Sequence, residues 1–178
     1  MKRFLETYNK PLTIVLFIMV VITTLVMMNF DLPLRNENCK DGIVSFELAK
    51  DLETTVTILN SWDTNAKNNA SLSVGFDFLF LLVYSSFIAL LIFKINNRLW
   101  ENHAFHKVGR ALIVLIFSAA FFDMIENVAL IKLLLGDLEQ MWCSIAYFFA
   151  IGKFAIVLIC IVYILLNWVL LWFEKEKT

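Results

Sequence analysis

Four long apolar runs constrain the fold of this chain more than any other feature. They cover residues 12–30, 72–93, 111–135 and 144–173, and each is long enough to cross a bilayer as a helix, which takes roughly 18 to 20 residues. Only five Gly and two Pro occur in the whole chain, so the runs read as unbroken helices rather than barrel strands. A mean hydropathy of +0.76 excludes an ordinary soluble domain. We therefore predict an all-α, integral membrane four-transmembrane-helix bundle that forms a single membrane domain over residues 1–178.

The distribution of basic residues predicts the orientation of this bundle. The connection at 94–110 is rich in cations, whereas the connection at 136–142 has none. Further cations precede the first run, which has no small-residue cleavage pattern and is expected to be retained as a span. The positive-inside rule then places both termini in the cytoplasm and the loop at 31–71 outside. We expect the protein to reside in the cell membrane (plasma or inner membrane). The cations concerned are Lys2, Arg3, Lys10, Lys94, Arg98, Lys107, Arg110, Lys175 and Lys177.

The outer loop of about forty residues is too long for a bare connector. Apolar residues at helical spacing between 41 and 62 predict a helix lying on the outer mouth of the bundle, with Asp41 or Ser45 as its cap. The β-branched run 54–58 leaves a strand open as the alternative. Residues 65–69 are polar, and we interpret them as a turn before the second span.

The third run carries polar residues that a membrane helix normally avoids. Asp123, Glu126 and Asn127 share one face of the helix with the small residues Ala119 and Ala120. The fifteen Leu, Ile, Val and Phe residues of this run favour insertion by about 4.5 to 9 kcal/mol, and two central carboxylates oppose it by about 5 to 7 kcal/mol. This helix therefore needs neighbours that satisfy its acids.

Polar residues on two other spans fall at similar depth. At about 1.5 Å of rise per residue, the polar groups of the third run, Asp77 of the second and Lys153 of the fourth lie roughly 8 to 18 Å from the outer surface. Tyr84 shares the helix face of Asp77. We predict a ligand- or ion-binding cluster in the outer half of the bilayer, with Asp123 holding Lys153 and Glu126 facing the ligand. Its members are Asp77, Tyr84, Asp123, Glu126, Asn127 and Lys153.

The charges of this cluster allow two interpretations. Lys153 could simply pair with Asp123 or Glu126 and clip two helices together. Three acids against one lysine nevertheless leave excess negative charge. Either an acid is protonated through desolvation and like-charge coupling, or a cation or cationic ligand enters.

Three classes of function fit this pattern. The first binds or transports a proton, a cation or a cationic amphiphile; the second is a structural or accessory subunit; the third is an intramembrane lipid-modifying enzyme that uses Asp123 and Glu126 as acid and base. We favour the first. Four spans, a long first loop and an acid early in the second span resemble the sterol-isomerase and sigma-2-receptor type of bundle in topology, a resemblance that assigns no residue roles.

The expected partners are the lipid bilayer and a small cationic or amphiphilic ligand, with no nucleic acid, no cofactor and no metal. His103 and His106 have a spacing that a metal site could use, but without further Cys or His nearby they are interpreted as interfacial residues at helix ends. The oligomeric state stays open.

Two cysteines are predicted to face the same compartment. Cys39 lies in the outer loop and Cys143 at the outer start of the fourth span. A disulfide between them and a pair of free thiols are both compatible with this placement. Cys160 lies at lipid depth and is expected to pack in the bundle.

Overall fold

The computed structural model describes the backbone of residues 2–175 and the side chains of residues 10–173. Within this part the protein is all-helical and contains no strand. Four helices are long and apolar enough to cross a membrane, as predicted. Which side the termini face stays a prediction, and Lys177 lies outside the described residues. The helices are α1 (Lys2–Asp31), α2 (Ile43–Glu47), α3 (Leu52–Ser61), α4 (Thr64–Leu99), α5 (His106–Leu134) and α6 (Gln140–Lys175), with a 3-10 turn at Leu32–Leu34.

Helix α4 occupies the centre of the bundle and packs against α1, α5 and α6. Its apolar segment is 44% buried, whereas that of α1 is only 6% buried. Helix α1 therefore lies at the edge of the bundle, with Ile14, Leu25 and Met28 more than half exposed. In a bilayer such side chains face lipid, which accounts for an apolar helix with so little protein around it.

Helix α5 buries the face that the sequence predicts. Asp123, Glu126 and Asn127 are buried, and so are the small residues Ala119 and Ala120 beside them. The opposite face, which includes Val114, Phe117, Phe121 and Val128, is exposed. Small residues on the polar side let the neighbouring helices approach closely, so the acids are enclosed by protein and not by lipid.

The secondary structure of the outer loop differs from the prediction in three ways. The loop helix is broken into α2 and α3, because Asp51 caps a new helix by accepting a hydrogen bond from the Thr54 amide at 2.8 Å. The strand alternative at 54–58 is wrong, since these residues lie within α3. The turn at 65–69 is also wrong: α4 already begins at Thr64, where the Asp63 carboxylate accepts from the Ala66 amide at 2.7 Å.

The end of α1 positions the first turn of α2. The expected cap at Asp41 or Ser45 is therefore wrong. The Asp31 carboxylate accepts a hydrogen bond from the Ile43 amide at 2.6 Å and forms an ion pair with Arg35 at 2.8 Å. The Ser45 hydroxyl instead accepts from the Asp41 amide at 3.0 Å. Gly42 adopts φ +60° next to the Asp31 carboxylate, and a Cβ atom on residue 42 would overlap that carboxylate. Helix α2 is thus positioned by a contact between two residues that lie twelve apart in the chain.

The orientation can be tested by labelling introduced cysteines. Asn65, Asn102 and Gly136 are all exposed, and the three native thiols are buried. We expect a membrane-impermeant maleimide added outside intact cells to label Asn65→Cys and Gly136→Cys but not Asn102→Cys. Labelling of Asn102→Cys alone would reverse the predicted orientation.

Candidate functional site

The polar residues of three spans meet in one buried cluster. The Asn127 amide donates to Asp77 Oδ2 at 2.6 Å, which connects α5 to α4. The Tyr84 hydroxyl donates to Asp123 Oδ2 at 3.0 Å, one to two turns deeper on the same two helices. All six of the side chains predicted from the sequence belong to this cluster, since Glu126 and Lys153 join it through the contacts described next.

Lys153 is the cation at the centre of the cluster. Its ammonium nitrogen lies 2.8 Å from Asp123 Oδ1 and 2.9 Å from Glu126 Oε2. We expected Asp123 to hold Lys153 while Glu126 faced a ligand, but the ammonium contacts both carboxylates. The reason is geometric: residues three apart on α5 point to the same side, and Lys153 reaches that side from α6.

A fourth acid, Glu47 of α2, was missed by the sequence analysis. Its Oε2 atom lies 3.6 Å from the Lys153 ammonium, where the loop between α1 and α4 meets the cluster. A signal for it exists in the sequence, because Glu47 follows Ile43 and Phe46 at helical spacing, and these three are the buried residues of α2. An acid on the apolar face of a loop helix indicates a buried partner.

The environment of Glu47 disfavours its charged form. Burial raises the pKa of this carboxyl above its ordinary value, the nearby Lys153 ammonium lowers it, and the Asp123 carboxylate raises it further, with the net direction upward. Its Oε2 atom is buried and accepts no hydrogen bond from the described part of the chain. Glu47 is therefore an acid with an incompletely satisfied oxygen, supplied to the cluster by a loop helix.

The cluster has more carboxyl groups than cations. Its four carboxyls, from Glu47, Asp77, Asp123 and Glu126, are each at most 8% exposed, and Lys153 is 7% exposed. If every group were ionised, four negative charges would face one positive charge in a site shielded from water. An uncompensated buried charge costs several kcal/mol, so protons or cations are needed to offset the excess.

An apolar layer lies on the other side of the cluster. Ile88 and Ile92 of α4 and Ile116 of α5 are buried there, with Cys160 of α6 beside them. Beyond this layer a second set of polar side chains joins the helix ends, where the Asn96 amide donates to the His106 carbonyl oxygen at 3.0 Å. The acidic cluster is therefore nearer to the outer loop than to the connection between α4 and α5.

The cysteines and histidines of the sequence analysis lie apart from this chemistry. Cys39 and Cys143 are free thiols in the structure, the Cys39 thiol donating to the Gly42 carbonyl oxygen at 3.0 Å while the Cys143 sulfur lies 3.3 Å from the Thr55 hydroxyl. Of the two alternatives, the structure has the unbridged pair. His103 and His106 lie at the opposite end of the bundle, where the amide of Phe105 donates to His103 Nδ1 at 3.2 Å.

Comparison of the chain with protein-family models, with curated proteins and with solved structures finds no match. The topological resemblance to the sterol-isomerase type of bundle thus gains no support. What the cluster does has to follow from its own geometry and charge.

Proposed function

We propose that this protein binds protons or a small inorganic cation from the outer side of the membrane, at the buried cluster of Glu47, Asp77, Asp123, Glu126 and Lys153. The observation that supports this most is the excess of carboxyls over cations inside a site where no carboxyl is more than 8% exposed. Ionisable residues inside membrane spans mark proton relays and ion sites in many membrane proteins. The excess negative charge is unfavourable in a buried site, and a bound proton or cation would neutralise it.

The packing of the cluster favours a proton or small cation over the larger cationic amphiphile that the sequence also left open. Asp123, Glu126 and Asn127 are at most 2% exposed, and their oxygens and nitrogens bond directly to neighbouring side chains at 2.6 to 3.0 Å. Because these side chains contact one another directly, a ligand has to bind at carboxylate oxygens that are already in use. A proton or a bare ion is small enough to do so.

Glu47 is the group through which the cluster exchanges with the outside in this proposal. It belongs to the outer-loop helix α2, whereas the other three acids lie on the long helices α4 and α5. A small displacement of α2 would expose Glu47 first and then Lys153. A helix-pairing clip needs only one acid for one lysine, so a fourth carboxyl supplied from a loop supports an exchange site instead.

The test of Glu47 uses the pH dependence of stability. Because its pKa is raised in the folded protein, the proton on Glu47 stabilises the fold at low pH, and that stability is lost as pH rises from the ordinary glutamate range towards the raised pKa. We expect Glu47→Gln to remove this loss, so that the variant unfolds at a higher temperature than the wild type at pH 8 and the advantage shrinks towards pH 4. Thermal unfolding in detergent from pH 4 to pH 8 measures it.

Glu53→Gln is the matched control, because Glu53 lies exposed on the neighbouring helix α3. It should reproduce the wild-type pH profile. If Glu47→Gln also follows the wild-type profile, Glu47 does not exchange protons with the solvent and the proposed route is wrong.

Binding itself is tested with the neutral isosteres Asp123→Asn and Glu126→Gln. Each removes one charge from the excess, so each variant should stay folded or become more stable while losing proton or cation uptake. Infrared spectra of the carboxyl band against pH, and thermal shifts with NaCl, KCl and choline chloride, separate protons from cations. Unfolding of every acid variant, with recovery only when Lys153 is also replaced, would favour the accessory role.

A further inference from the structure

A crevice lies at the opposite end of the bundle, between α1, α4 and α6. Its volume is about 870 Å³, within the range of small-molecule sites. The crevice is lined by Phe17 of α1, by Phe87 and Leu91 of α4, and by Leu165 and Trp168 of α6. These residues belong to helices that are long and apolar enough to cross a membrane, so a lipid chain can reach the apolar part of the crevice from the side of the bundle.

The crevice is apolar at one end and basic at the other. Lys94 and Arg98 line it one helical turn apart, after Phe87 and Leu91 along α4. The Lys94 ammonium donates to the Thr13 hydroxyl of α1 at 3.0 Å, which uses one of its three donors. Arg98 is exposed. An ammonium and a guanidinium at the end of an apolar channel match an anionic headgroup on an acyl chain.

We propose that this crevice binds one anionic phospholipid, with its acyl chain along Phe87 and Leu91 and its phosphate at Lys94 and Arg98. Glu101 also lines the basic end, so the lining carries two cations and one acid. Basic pockets between spans on the cytoplasmic side are a recognised way of holding such headgroups. The site is separate from the acidic cluster and does not depend on the function proposed for it.

The experiment measures lipid preference directly. Purified protein is titrated with phosphatidylglycerol and with phosphatidylcholine of the same chains, and bound lipid is counted by native mass spectrometry. The wild type should retain phosphatidylglycerol preferentially. Because each cation near the membrane surface contributes roughly a fivefold preference, Lys94→Gln with Arg98→Gln should weaken phosphatidylglycerol retention roughly 25-fold.

The matched control replaces two cations at the same end of the bundle, Lys107→Gln with Arg110→Gln, which do not line the crevice. It should keep the preference. A second variant, Leu165→Trp, narrows the apolar part with both cations intact, at a side chain that is 53% exposed and therefore tolerant of change. It should lose the bound lipid. Glycerol phosphate, the headgroup without chains, should not compete.

Three results would overturn the proposal. An equal loss in the control pair would mean that the cations attract anionic membranes in general. Competition by glycerol phosphate would assign the basic end to a free phosphate compound. Equal retention of both lipids by the wild type would mean that the crevice has no preference for an anionic lipid and is covered by a partner helix or by bulk lipid.

Discussion

Replacing Lys153 by Met is expected to destabilise the bundle by about 3 to 5 kcal/mol, the cost of removing one partner from a buried ion cluster. The ammonium contacts Asp123 at 2.8 Å, Glu126 at 2.9 Å and Glu47 at 3.6 Å. Without it, no cation within the described part of the chain faces these carboxyls. Equilibrium unfolding in mixed detergent micelles at pH 7 measures the loss, and it should shrink at low pH because protons replace the ammonium.

Lys132→Met is the matched control. Lys132 is 47% exposed, and its ammonium lies 3.5 Å from the Asp137 carboxylate near the C-terminal end of α5. An exposed pair of this kind contributes about 0 to 1 kcal/mol. If Lys132→Met and Lys153→Met cost the same, the cluster is not the electrostatic centre that its geometry indicates.

Double variants then distinguish an exchange site from a simple ion pair that holds two helices together. Lys153→Met combined with Glu126→Gln should recover only part of the stability, because the carboxyls of Glu47, Asp77 and Asp123 remain. A clip between one lysine and one acid would recover fully in the double variant. Complete recovery would therefore support the accessory role.

The second large effect is expected at Gly42. Its φ of +60° is a conformation that a residue with a side chain rarely adopts, and a Cβ atom there would overlap the Asp31 carboxylate. Backbone strain of this kind costs about 1 to 3 kcal/mol, and loss of the Asp31 hydrogen bond to Ile43 adds about 1 kcal/mol. We expect Gly42→Ala to lower stability by about 2 to 4 kcal/mol in the same unfolding measurement.

Gly75→Ala serves as its control, because Gly75 lies within α4 and a Cβ atom added there would have no neighbour within 4 Å. That change should be neutral or stabilise by about 0.4 to 1 kcal/mol. Since Gly42 seats the helix that carries Glu47, Gly42→Ala should also weaken the pH dependence assigned to Glu47. A variant as stable as the wild type would show that α2 is seated by other contacts.

The spans and the polar face of α5 could be predicted from the sequence because both follow from local patterns. A run of some twenty apolar residues has one stable form in a bilayer, since a helix satisfies its backbone internally. Asp123, Glu126 and Asn127 share a face by helical periodicity alone. Similar depth then brought Asp77 and Lys153 into the predicted cluster, and Tyr84 was added because it shares the helix face of Asp77. The structure places all six side chains together.

The outer loop could not be predicted in the same way, because short helices depend on individual caps and on tertiary contacts. Polar composition at 65–69 indicates a turn, yet the Asp63 cap extends α4 through it. The strand propensity at 54–58 is likewise overridden by the Asp51 cap and by the burial of Thr55, Ile58 and Leu59.

Local patterns in the chain are enough to specify the membrane-spanning helices and an excess of acid over base among them. Length and periodicity encode both features, and neither requires knowledge of which segments touch. Tertiary packing was needed to bring Glu47 into the cluster and to share Lys153 between Asp123 and Glu126. The first depends on the Asp31 carboxylate reaching Ile43 across the loop, and the second on how α6 packs against α5. Both are contacts between distant parts of the chain, which no local pattern specifies.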